Sequence, residues 1–275
     1  MRDRPRAAGL GCYDLSAGVD QASQVADCAV KRGEEMSHPH TRVYTICHAR
    51  AMVDIFRRRP DNMRSYADSV LSLSREHGLL HWTAFGQIID GWSVTTCGDT
   101  DRGIELLRAG VAAWQKAGAR LWLPLFLTLE AEACAKAGRS DDTLEVIDCA
   151  ISASQRSGER WYLAEMLRIK ARVLSQANHT NDQVETLLAK SLEIARSQQA
   201  RCWELRAACD LALLWQSNSR VKEALELLQP IYTRFTEGFD TVDLQRARQI
   251  LGSLEPKESR KGPKLNKPTS KRSRS

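Results

Sequence analysis

The chain has 275 residues, of which 43% are hydrophobic and 27% charged, enough apolar content for an extended core. The formal charge of +6 is unevenly placed: residues 257–275 carry five Lys, three Arg and one Glu, so the rest of the chain is close to neutral. No run approaches the roughly 18 apolar residues of a membrane span, and "MRDRPRAAGLGCYDLSAG" lacks the apolar stretch of a signal peptide; neither is expected, and a cytoplasmic protein is.

Residues 1–17 carry no periodic pattern and are expected to be a poorly ordered leader. A degenerate first helix pair is expected near "GVDQASQVADCAVKRG". A second joins "HTRVYTICHARAMVDIF" to "MRSYADSVLSLSREHG", with Pro60 after Arg57-Arg58-Arg59 marking the turn inside it.

From there the chain is punctuated at a fixed interval. Gly78, Gly118 and Gly158 lie 40 residues apart, with His38 continuing the series backward. Gly98, Gly138, Asn178 and Asn218 form a second series, also 40 apart and interleaved with the first. Gly and Asn tolerate the left-handed conformation that ends helices, so each interval reads as a helix plus a short turn. Within the intervals, Ile104, Leu107, Val111 and Trp114 recur at helical spacing. Leu144, Ile147 and Ile151, then Val184, Leu187 and Leu188, then Leu225, Leu228 and Ile231 repeat that stripe. Helix-start chemistry precedes three of these stripes: Asp99-Thr100-Asp101, Ser140-Asp141-Asp142, and Thr180 with Gln183 at capping-box spacing.

The alternate helices open on Trp82, Trp122, Tyr162 and Trp203, the last slipped by one residue. Gly91, Ala131 and Ala171 share one position in them, where a small residue lets the paired helix approach closely. This predicts an all-α fold: a right-handed α-α solenoid of tetratricopeptide-like helix pairs, period about 40 residues, about five and a half pairs over residues 18–238. Gly238 then breaks the pattern, Asp240 or Thr241 caps a final helix within 239–256, and Phe235 and Phe239 pin the turn. Residues 257–275 read as a disordered basic tail; with no aromatic to stack on bases, nucleic-acid binding is not expected beyond non-specific attraction to that tail.

Motifs for chemistry are absent from the sequence. There is no phosphate-binding Gly-rich loop, no HExxH and no GxSxG. His77 and His81 have metal-ligand spacing, but Gly78 breaks the helix between them. None of the eight cysteines forms a CxxC pair, and Cys134, Cys149 and Cys209 are expected as buried thiols. The seven tryptophans are expected mostly in the core. No catalytic residue, metal or cofactor is expected. The expected role is a non-catalytic interaction module for a protein partner, with a small-molecule effector bound in the concave groove as the alternative.

The segments "AEACAKAGRSDDTLEVIDCAI", "SGERWYLAEMLRIKARVL", "ARCWELRAACDLALLW" and "LLQPIYTRFTEGFDTVDLQRARQIL" resemble one bacterial family. It is the C-terminal tetratricopeptide region of signalling proteins that join a class III adenylate/guanylate cyclase domain, or a DNA-binding domain, to a predicted P-loop ATPase. The similarity spans residues 18–252, and its most specific stretch runs from Phe235 to Thr241. It implies a sensor or scaffold role. No residue here matches a cyclase metal site or a nucleotide loop, so neither activity is carried over.

Overall fold

A computed structural model describes residues 19–36, 38–177 and 179–255. Among them the regular elements are all helical. In chain order these are α1 (Val19–Glu35), α2 (Pro39–Tyr44), a π-helical stretch (Thr45–Ala51), α3 (Met52–Arg57), α4 (Met63–Glu76), α5 (Leu80–Cys97), α6 (Thr100–Lys116) and α7 (Leu123–Lys136). There follow α8 (Ser140–Ser157), α9 (Leu163–Gln176), α10 (Asn181–Ser197), α11 (Arg201–Ser217), α12 (Val221–Tyr232) and α13 (Val242–Leu254). The leader, Asn178 and the basic tail lie outside the described residues. None of the described helices is long and apolar enough to cross a membrane.

From α4 onward each helix packs on the next. The odd members α5, α7, α9, α11 and α13 also touch one another in succession, so they form an inner layer, with α6, α8, α10 and α12 outside it. The stripes explain the layering. Ile104, Leu107, Val111 and Trp114 turn one buried face of α6 toward the interior, whereas α5 is buried around most of its circumference between neighbours.

Small residues set the closest approach. A Cβ on Gly91 would lie 2.8 Å from the Leu107 backbone nitrogen, and one on Gly103 2.8 Å from that of Thr95, so α5 and α6 touch backbone to backbone there. Ala131 and Ala171, at the position equivalent to Gly91, are fully buried.

The turns depart from the sequence pattern in one respect. Gly78, Gly98, Gly118, Gly138, Gly158 and Gly238 all have positive φ, between 65° and 114°. Asn218, expected to join them, has φ −93°, and Ser219 takes the left-handed position at 62°. Gln199 does the same in the preceding turn at 56°. The one-residue slip already visible at Trp203 moves the turn residue by one.

Capping differs too. Asp99 accepts the Arg102 N–H as a true cap, but Thr180 and Thr241 stand at N-cap positions without a side-chain cap bond. The capping box expected of Thr180 and Gln183 is therefore not formed. Thr241 instead donates its hydroxyl to the Gly238 carbonyl at 2.7 Å. Phe235 packs on the C-terminal core, while Phe239 is half-exposed, its ring 6.2 Å from that of Tyr232. Asp240 is exposed, and its carbonyl accepts from Gln245 Nε2 at 3.2 Å. Cys134 and Cys209 are buried as expected, but Cys149 is exposed because it falls on the outward face of α8.

The first three helices are used differently from later ones. Residues 39–57 form one continuous helix, its middle turn widened to π geometry, and α1 folds back on it: Arg50 reaches Ser23 Oγ at 3.0 Å and Asp27 at 2.8 Å. This hairpin does more than begin the stack. It lies along the inner layer and meets α5, α7, α9 and α11 in turn.

Candidate functional site

What seats the hairpin is a row of aromatic side chains. Trp82, Trp122, Tyr162 and Trp203 stand at the starts of the successive inner helices and are all buried. Facing them is a stripe on the hairpin with a step of four: His40, Tyr44, His48, Met52 and Phe56. Its rings meet the row in order. His40 and Tyr44 lie 5.3 and 6.0 Å from Trp82; His48 lies 5.4 Å from Trp82 and 5.6 Å from Trp122. Phe56 lies 5.9 Å from Trp161, 6.1 Å from Tyr162 and 5.7 Å from Trp203. Most are edge-on, the favoured geometry of ring quadrupoles. An i, i+4 row drifts around an α-helix of 3.6 residues per turn; the wider π turn reduces that drift in the middle of the contact.

The far end of the hairpin is held by charge. Glu165 is fully buried and accepts from Arg168 at 2.8 Å through both oxygens, from Arg206 at 2.9 Å and from Arg58 at 3.3 Å. Arg168 also reaches Asp210 at 2.7 Å, where Arg246 closes in from α13. Arg206 further pairs with Asp243 at 2.7 Å and donates to the Phe56 carbonyl at 2.6 Å. Burial alone would raise the Glu165 carboxyl, but Arg168, Arg206 and Arg58 hold it well below the usual carboxylate range. Asp210 is lowered for the same reason, burial being outweighed by Arg168, Arg246 and Arg172. These acids are fixed as anions in ion pairs, a posture suited to holding helices together rather than to moving protons.

At the other ends of the inner helices the layer is open. A cavity of about 360 Å³ lies between α5, α7 and α9, with Trp92, Leu129, Ile169 and Val173 as floor and Arg58, Glu132, Lys136 and Arg172 at its sides. A second, of about 260 Å³, adjoins it through Arg172 and Gln176 and continues to Leu213 and Asp210. The lining follows the sequence interval: Trp92, Glu132 and Arg172 are 40 apart, as are Thr96, Lys136 and Gln176. Allowing the one-residue slip, Leu213 and Ser217 continue the two rows.

The residues singled out from sequence fall mostly outside this region. The glycines mark turns at the layer's edges, and Phe239 and Asp240 lie on the surface before α13. Phe235 comes nearest, lining a small crevice with Phe56 and Cys202. Trp82, Trp122 and Trp203 are core residues, as expected, but the chain's own helix covers them. Periodicity missed the hairpin stripe, although its step of four is plain in the sequence. Among the described residues no cluster of His, Cys, Asp and Glu could hold a metal ion. No protein-family model and no curated protein sequence matches the chain.

Proposed function

We propose that the chain is a non-catalytic helical-repeat interaction module, a right-handed tetratricopeptide-like superhelix that binds a protein partner along its inner layer. The observation that carries this reading is the seated hairpin, since that layer already holds an α-helix across four successive inner helices through an aromatic row. A surface that accepts a helix by side-chain rows at repeat spacing is suited to a partner's helix or extended segment. The open row fits recognition as well: its equivalent positions differ in chemistry, Trp92, Glu132 and Arg172, while the packing positions Gly91, Ala131 and Ala171 stay small. The resemblance to the regulatory end of cyclase and ATPase signalling proteins favours a role in controlling another catalytic unit.

A photo-crosslinking residue at Gln176, within the open row, tests this. One defined protein adduct is expected in cells, lost with Lys136→Glu, and no adduct from Glu145 on the outer helix α8. Equal labelling from both positions, or none from either, removes the reading.

The cavity between α5, α7 and α9 favours a second reading, in which a small-molecule effector occupies part of the same layer. Its 360 Å³ falls within the usual range of ligand pockets, about 300–1,000 Å³.

A further inference from the structure

The charges around that cavity are unevenly satisfied. Arg58 is engaged with Glu165 and, at 3.5 Å, with Glu132. Lys136 reaches the Thr95 carbonyl at 2.6 Å and the Thr96 carbonyl at 3.2 Å, which leaves one of its three N–H donors over. Arg172 stands apart. It lines both cavities, yet among the described residues no carboxylate lies within ion-pair distance of it and no acceptor receives its N–H groups. Arg172 is exposed at the mouth of the cavity; partial desolvation lowers its pKa, Asp210 opposes this, and Arg168, Arg246 and Arg58 lower it further. A guanidinium with no protein acceptor, and with five donors in a planar fork, is matched by an anion with two oxygens. Below it the floor is apolar: Trp92, Leu129, Ile169 and Val173 offer an indole and three aliphatic side chains.

We propose that this cavity binds a small amphiphilic organic anion, its acidic head against Arg172 and Lys136 and its apolar body on the floor around Trp92. The proposal rests on the effector reading of the inner layer and adds to it the chemical class of the ligand. The head would complete the donors that the protein leaves open. The body would leave water to pack on the largely buried floor side chains, and an apolar body without the head would gain only the second part.

The full chain is titrated with 8-anilinonaphthalene-1-sulfonate, an aromatic sulfonate, followed by its fluorescence. Saturable binding of one probe per chain is expected, displaced by octanoate but not by octan-1-ol. Arg172→Gln breaks no ion pair and should keep the unfolding midpoint, yet weaken the probe about tenfold, the size of one charge-assisted hydrogen bond. Arg102→Gln, on the outer helix α6, should change nothing. Unaltered affinity in Arg172→Gln overturns the proposal. Displacement by octan-1-ol as effective as by octanoate overturns the anion assignment while leaving an effector site. Absence of saturable binding ends both.

Discussion

Arg206 Nη2 donates to the Phe56 carbonyl oxygen at 2.6 Å, joining α11 to the end of α3 across 150 residues of sequence. The same guanidinium serves Glu165 at 2.9 Å and Asp243 at 2.7 Å, so one side chain satisfies three acceptors on three segments. Arg206→Met keeps the bulk and removes all three bonds. It takes one of three guanidinium partners from a fully buried carboxylate that Arg168 and Arg58 still hold, and the expected loss is about 2–3 kcal/mol in urea unfolding. Amide exchange over residues 39–57 should rise in the same variant, because the hairpin loses its anchor. A loss below about 1 kcal/mol would mean that the network is not coupled to the fold.

Phe56→Ala tests the aromatic half of the same attachment. The ring is buried among Trp161, Tyr162 and Trp203, and its removal should cost about 3–5 kcal/mol, with a red shift of tryptophan emission as water reaches the row. Tyr44 belongs to the same stripe but is about half-exposed, so Tyr44→Ala should cost less. Equal effects in the two variants would contradict the burial pattern.

The stack and the hairpin were legible to different degrees. Gly78, Gly118 and Gly158 announce their turns because only a residue without Cβ takes positive φ at no cost, a local rule that needs no knowledge of the fold. The stripes of α6 and α8 likewise follow from a period of 3.6. Residues 39–57 obey local rules equally well, and their helix is plain, but its destination is not. Phe56 finds Trp203, and Arg206 finds Phe56, through pairings separated by some 150 residues, which no short-range pattern encodes. Arg172 is silent for a similar reason. In the sequence it is one more arginine on a helix, and only its place in the fold, partly desolvated at the cavity with Arg168, Arg246 and Arg58 nearby, makes its charge unusual.

His48 gives the fold a defined response to acid. Burial between the rings of Trp82, Phe85 and Trp122, with His81 as a neighbouring cation when protonated, lowers its pKa from 6.5 to about 4. Between those values the unfolded chain binds the proton and the folded chain does not. The stability from this group is therefore complete above pH 6.5 and lost as pH falls toward 4. At pH 5 the loss should be about 1–2 kcal/mol. His48→Phe keeps a ring against the tryptophans and removes the titration, so its unfolding midpoint should fall less between pH 7 and pH 5 than that of the wild type. Parallel curves would show that His48 does not govern this range.

Two glycine-to-alanine changes should have opposite signs. Gly252 lies in α13 with nothing within 4 Å of an added Cβ, so alanine there loses less backbone entropy and should add about 0.5–1 kcal/mol. Gly103 lies in α6 where the same atom would come within 2.8 Å of the Thr95 nitrogen and 2.9 Å of the Gly91 carbonyl oxygen. Both are backbone atoms of α5 and cannot rotate away, so the helices must separate. Gly103→Ala should therefore cost about 1–3 kcal/mol despite its better helix propensity. Spreading α5 from α6 also loosens the inner layer at Trp92, the residue on the floor of the cavity, so unfolding in urea should be paired with the fluorescence of that tryptophan. A stabilised Gly103→Ala would show that the two backbones do not approach as closely as these distances require.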